Sequence, residues 1–165
     1  YTTGMRFGEI VGLTWDRVKL REGYLDLRAE DTKTREPRKV YIVPQVREVL
    51  DRLGKVRALA HSFVFTYHGR PVKEIKKALK RACKETDIGN FRFHDLRHTF
   101  TTNMRKAGVD RTVIMKLTGH KTLSMFLRYS AVDENDGREA VEKLENYLDS
   151  VQQFTAKSLQ APKKG

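Results

Sequence analysis

Cys83 is the only cysteine, so no intrachain disulfide can form. That fits a reducing, intracellular setting. No uninterrupted apolar run is long enough to cross a bilayer, and no signal-peptide pattern opens the chain. An HExxH motif, a paired-Asp motif and a Cys/His set at ligand spacing are all missing. His94-Asp95 alone could form a metal pair, but no further carboxylates lie close by in sequence. Internal repeats, low-complexity blocks and an alternating strand–helix series are absent too, so a doubly wound sheet is not expected.

Positive charge is in surplus. Lys plus Arg is 33 and Asp plus Glu is 21, a net +12 in 165 residues. Such an excess favours a polyanionic partner, either nucleic acid or an anionic membrane surface. The length suffices for one domain with a real core. Because the chain opens on Tyr1 in helix-like sequence, it reads as a piece of something longer.

The apolar periodicity is mainly helical. Helices are expected over 3–15, from Gln45 to about Ala60, from Val72 to about Thr86, from about His94 to Gly108, from Asp110 to Leu117, from Thr122 to about Tyr129, and over 137–154. Val46, Val49, Leu50, Leu53 and Val56 form the stripe of the second, and Val72, Ile75, Leu79 and Ala82 that of the third. Gly108 and Gly119 suit helix C-termini, and Asp110 suits an N-cap. Tyr24 to Ala29 and Lys39 to Val43 read as two strands of a hairpin, with a polar, exposed tip over 30–38. Phe63 to Phe65 reads as a short strand closed by the His68-Gly69-Arg70-Pro71 turn. The expected fold class is mainly α with a small antiparallel β-sheet (α+β). Residues 1–154 are expected as one domain and 155–165 as a flexible tail.

Cutting a phosphodiester needs a nucleophile, stabilisation of the charge on the non-bridging oxygens, and a proton or metal for the leaving oxygen. Without a metal, arginine is the fitting residue, because its planar, permanently charged fork matches two phosphate oxygens. In His94-Asp95-Leu96-Arg97-His98, His94 and Arg97 are three apart and share a helix face. Taken alone, the segment reads more readily as an amphipathic helix with a solvated polar face than as a phosphate clamp.

At this segment the chain resembles the phage integrase, or tyrosine recombinase, family. The resemblance rests on His94-Asp95-Leu96-Arg97-His98-Thr99-Phe100, on Gly119-His120, and on Tyr129 nine residues after His120. Thr3-Gly4-Met5-Arg6-Phe7-Gly8-Glu9-Ile10 resembles the family's first arginine motif, and Thr32-Lys33-Thr34 its lysine hairpin. It runs from about Thr3 to Tyr129, and loosely through the last helix.

The resemblance implies the catalytic domain of a site-specific recombinase that cuts and rejoins double-stranded DNA through a 3′-phosphotyrosyl intermediate. Arg6 and Arg97 would grip the non-bridging oxygens, with His94 beside them. Lys33, on a mobile hairpin tip, would protonate the leaving 5′ oxygen. His120 would contact the phosphate and Tyr129 would attack. No metal, nucleotide or other cofactor is implied. It further implies a DNA-clamping domain before Tyr1, a cytoplasmic, nucleoid-associated protein, and a synaptic tetramer in which the last helix docks on a neighbouring protomer. Met125, Phe126 and Ala131 depart from the residues usual around the family's tyrosine. Asp95 and His98 read as structural, and Glu9 as orienting Arg6. A type IB topoisomerase-like strand transferase, a DNA-binding regulator without activity and, more distantly, a metal-dependent nuclease remain open on these residues.

Overall fold

The computed structural model describes residues 1–57, 62–89, 91–127 and 134–160; for 134–136 and 152–160 it describes the backbone alone. Residues 1–130 form one compact unit and residues 131–165 a second.

The first unit opens on a short helix, α1 (Phe7–Val11), followed by a 3-10 turn at Trp15–Arg17. Strands β1 (Val18–Lys19), β2 (Tyr24–Leu27) and β3 (Arg38–Tyr41) form an antiparallel sheet in that order. Leu25 faces Val40, and Leu27 faces Arg38. Helix α2 (Pro44–Lys55) follows, with proline at its first position, where the missing N–H costs nothing. A small hairpin pairs β4 (Thr66–Tyr67) with β5 (Arg70–Pro71). Then come α3 (Lys76–Glu85), α4 (Phe93–Lys106), α5 (Arg111–Thr118) and α6 (Leu123–Leu127). The second unit carries α7 (Glu134–Gln160), on which Val141, Leu144, Leu148 and Val151 are all exposed.

The main core gathers Met5, Leu13, Leu25, Leu27, Val40, Leu50 and Val64, so it packs the inner face of the sheet against α2 and the start of the chain. Alternation along β2 makes this possible, since Leu25 and Leu27 point to the same side. Ile114 and Phe126 are buried among the later helices.

Several elements are shorter than periodicity alone implies. The helix expected over 3–15 survives only as α1. Gly4 sits at φ +61°, outside the helical region, and Leu13 bonds its carbonyl to the Val64 N–H instead. The helix expected from Val72 starts at Lys76, and the Val72 N–H instead extends the β4–β5 region by donating to the Phe65 carbonyl. Phe63 makes one isolated bridge to Thr14, and strand pairing begins three residues later. On α2 the inward stripe narrows to Val46, Leu50 and Leu53, leaving Val49 and Val56 exposed. The 30–38 segment is not simply an exposed tip: it begins in a 3-10 turn, Ala29–Asp31, and Thr32 is buried. Helix α7 runs on to Gln160, past the expected end at Phe154.

Leu27 is the most buried leucine of the sheet, at 1% exposed. Leu27→Ala is expected to destabilise the fold by about 2–5 kcal/mol in denaturant unfolding. Val141→Ala, on the exposed stripe of α7, should change it by less than about 0.5 kcal/mol.

Candidate active site

Helix α5 ends in a glycine, Gly119, at φ +69°. The last carbonyls of a helix have no partner within it and carry partial negative charge. Here three successive carbonyls are each met by an arginine. Arg38 Nε donates to Leu117 O at 3.0 Å, Arg97 Nη2 donates to Thr118 O, and Arg6 Nη2 donates to Gly119 O at 3.0 Å. Arg6 comes from the N-terminus of α1, Arg38 from β3 and Arg97 from α4, so three distant segments are drawn to one helix end.

Their positions are fixed from behind as well. Arg97 Nη1 donates to Gly4 O at 2.5 Å. Gly4 needs its positive φ for this, and a Cβ there would lie 2.5 Å from the Phe100 ring. Glu9 is buried between two guanidiniums: Arg6 Nη1 at 3.1 Å and Arg38 Nη2 at 2.6 Å. It also accepts the Arg6 backbone N–H at 2.8 Å. Burial works to raise its pKa, but the hydrogen bond and charge of Arg38, with the hydrogen bonds of Arg6, outweigh this and hold the carboxyl below its usual range. Glu9 thus orients Arg6, as expected. Asp95 accepts the Arg92 N–H at 2.7 Å and is a helix cap.

In front of this scaffold lies a cleft of about 490 Å³, lined by Arg6, Lys33, Thr34, Arg35, His94, Arg97, His120, Lys121 and Met125. Five of the six residues singled out from sequence, spread from position 6 to position 120, therefore share one cavity. The sixth, Tyr129, lies outside the described residues. No carboxylate lines the cleft among the described residues. Arg35 and Lys121 add positive charge that sequence reasoning missed; each lies close in sequence to a residue it had named. Arg38, also missed, sits behind the wall. The Thr34 hydroxyl is buried with no hydrogen-bond partner among the described residues.

Both cleft histidines, His94 and His120, are pushed toward the neutral form. His120 is buried, and burial, with Arg97 and Arg6 nearby, lowers its pKa to about 4. Arg97 Nη2 lies 3.3 Å from His120 Nε2, and a guanidinium has no acceptor, so Nε2 is the acceptor. The proton then sits on Nδ1 and is donated to Thr118 Oγ1 at 2.7 Å, whose own hydrogen goes to Ile114 O at 2.7 Å. His94 lies exposed at the mouth, its ring edge-on to His98 at 4.7 Å. Partial burial, then His98, Arg97 and Arg6, push its pKa down. The Lys33 loop is closed at its base, where Thr32 Oγ1 donates to Glu36 O at 3.1 Å and Arg35 N–H donates to Thr32 O at 3.0 Å.

The His120 shift has a consequence for stability. The folded imidazole titrates at about 4 and the unfolded one at 6.5. Between those values the unfolded chain binds the extra proton, so this contribution to stability is complete above 6.5 and is lost as pH falls toward 4. The Tm is expected to drop across that window, and His120→Asn should flatten the drop. Nitrogen-15 NMR of the wild type should show Nδ1 protonated at pH 7.

The family model for the phage integrase family matches residues 1–136. The tyrosine recombinase XerD of Halalkalibacterium halodurans is 28% identical over 146 residues, which cover 84% of this chain and 49% of that protein. XerA of Pyrococcus furiosus is 30% identical over 158 residues, covering 90% of this chain and 54% of that one. The integrase of Salmonella phage P22 is 25% identical over 160 residues, covering 88% and 40%. The chain thus spans about half the length of these relatives. In fold it is similar to the crystal structure of XerA recombinase, with a TM-score of 0.71 at 23% identity over 86% of this chain and 52% of that one. It is similar also to the catalytic domain of bacteriophage HP1 integrase, with a TM-score of 0.58 at 23% identity over 86% and 75%. A fold of small antiparallel sheets and packed helices, a positively charged cleft built from the expected motifs, and a family match over most of its length lead to one statement: the chain belongs to the phage integrase family.

Proposed function

We propose that this chain is a DNA strand-transferase domain that cuts and rejoins double-stranded DNA at specific sites, with Tyr129 as nucleophile. The observation that carries the reading is the convergence of Arg6, Lys33, His94, Arg97 and His120 on one cleft without a lining carboxylate among the described residues. A scissile phosphate seated there would meet two oriented guanidiniums, which stabilise the charge that develops on its non-bridging oxygens. The Tyr129 oxygen would attack phosphorus, forming the Tyr–O–P bond as the bond to the 5′ oxygen breaks. The Lys33 ammonium would give its proton to that leaving oxygen. A free tyrosine titrates near 10, and positive groups beside the phosphate favour its phenolate. The phosphodiester bond energy is kept in the phosphotyrosyl link, so the reverse attack by a DNA hydroxyl needs no ATP.

An arriving phosphate would also change His120. Its negative charge raises the imidazole pKa, turning Nε2 from an acceptor of Arg97 into a donor to the phosphate. The partners of this reading are double-stranded DNA and further protomers in a synaptic tetramer, with the exposed Val141, Leu144, Leu148 and Val151 stripe docking on a neighbour. On this reading the protein would act in the cytoplasm, associated with the nucleoid. The family match, together with the relatives named recombinase and integrase, favours strand exchange over simple relaxation of DNA.

A nicked suicide DNA substrate run on a denaturing gel should yield a covalent protein–DNA adduct that persists in excess EDTA. Tyr129→Phe should abolish the adduct, and Arg97→Ala should reduce its rate by on the order of 10²- to 10³-fold. An adduct at the wild-type level in the Tyr129 variant would refute the nucleophile assignment. Deleting residues 137–165 should weaken assembly of protomers on DNA in a gel-shift assay, and unchanged assembly would rule out docking through this helix.

A further inference from the structure

Arg17 closes the 3-10 turn after α1 and lies outside the cleft. Its side chain is only 10% exposed, yet it meets three carboxylates: Asp16 at 2.7 Å, Glu30 at 2.8 Å and Asp31 at 2.8 Å. Two of these belong to the Ala29–Asp31 turn, which leads directly into the lysine loop. Asp31 Oδ2 takes both Arg17 Nε and the Arg28 backbone N–H, at 2.8 and 2.9 Å. Thr32 is buried next to it and ties the loop base to Glu36. Lys33 follows, exposed, with its side chain on the cleft.

We propose that Arg17 is a positioning residue for Lys33, clasping Glu30 and Asp31 so that Lys33, two residues on, enters the cleft on a fixed stem. This rests on the strand-transfer reading above, in which the Lys33 ammonium protonates the leaving 5′ oxygen. The reason is geometric. A lysine side chain has four rotatable bonds, so the direction of its backbone decides where its ammonium spends its time. The β2–β3 pairing ends at Leu27 opposite Arg38, leaving ten residues between the strands. Arg17 supplies a rigid fork against a bend in that connection, where the ladder no longer holds it.

The test compares two leaving groups in single-turnover cleavage with saturating protein. One nicked substrate carries the ordinary bridging 5′ oxygen. The other carries sulfur in its place, which departs as a thiolate and needs no proton. Lys33→Ala should slow the oxygen substrate by on the order of 10²-fold and cut the sulfur substrate at close to the wild-type rate. Arg17→Gln should show the same pattern with a smaller loss, roughly 10-fold, on oxygen. It should also raise amide hydrogen exchange in residues 29–36. Arg17→Lys, which keeps one ion pair, should recover part of the rate.

Wild-type cleavage of the oxygen substrate by Arg17→Gln would overturn the proposal. So would equal slowing on oxygen and sulfur, which would mark a general loss of structure. If Lys33→Ala is equally slow on both substrates, the proton-donor reading of Lys33 fails instead. Unchanged exchange in residues 29–36 of Arg17→Gln then overturns the clasp on its own.

Discussion

The end of α5 is the constraint on which the site depends. Leu117, Thr118 and Gly119 present three carbonyls that the helix itself cannot satisfy, and Arg38, Arg97 and Arg6 satisfy them. Left unpaired in a buried setting, each carbonyl would cost a lost hydrogen bond. The helix dipole adds attraction for the cations. The same bonds that cap the helix bring together segments more than a hundred residues apart in sequence, as in Arg6 to Gly119. Capping the helix and assembling the cleft are one event.

Gathering like charges is unfavourable unless something offsets it. Glu9 offsets it locally, buried and shared by Arg6 and Arg38. Backbone carbonyls from Gly4 and Thr118 do the same for Arg97 without bringing a negative charge to the cleft. The cleft therefore keeps its positive field while its guanidiniums are already oriented. That arrangement suits an anion whose charge grows during reaction, because no reorganisation is needed at that moment. The neutral state of His120 belongs to the same balance, since burial disfavours its cation and Arg97 and Arg6 would repel it.

The motif residues were legible because each carries a rare chemical commitment: arginine for a fork, histidine for a proton near neutrality, lysine on a turn. Helix ends were legible where the cap was local. Asp110 accepts from Thr112 N–H at 2.8 Å, as its place before α5 suggested. Elements were misread where tertiary bonds competed with local pattern. Leu13 has the right spacing to continue α1, but its carbonyl pairs across to Val64. Arg38 and Arg17 were passed over because an arginine in a charged stretch looks solvated until its partners are known. Arg38 finds them at positions 9 and 117, and Arg17 finds two of its three at positions 30 and 31.

By itself the sequence determined the fold class, the family and the chemical identity of five groups that line the cleft, Arg6, Lys33, His94, Arg97 and His120, because these follow from residue type and order. Only the tertiary structure decided which arginines line the cleft and which lie behind its wall, the tautomer of His120, and the anchoring of the lysine loop. Those depend on hydrogen bonds between residues far apart along the chain, whose geometry is set by packing around α5 and the sheet and leaves no periodic trace in the sequence.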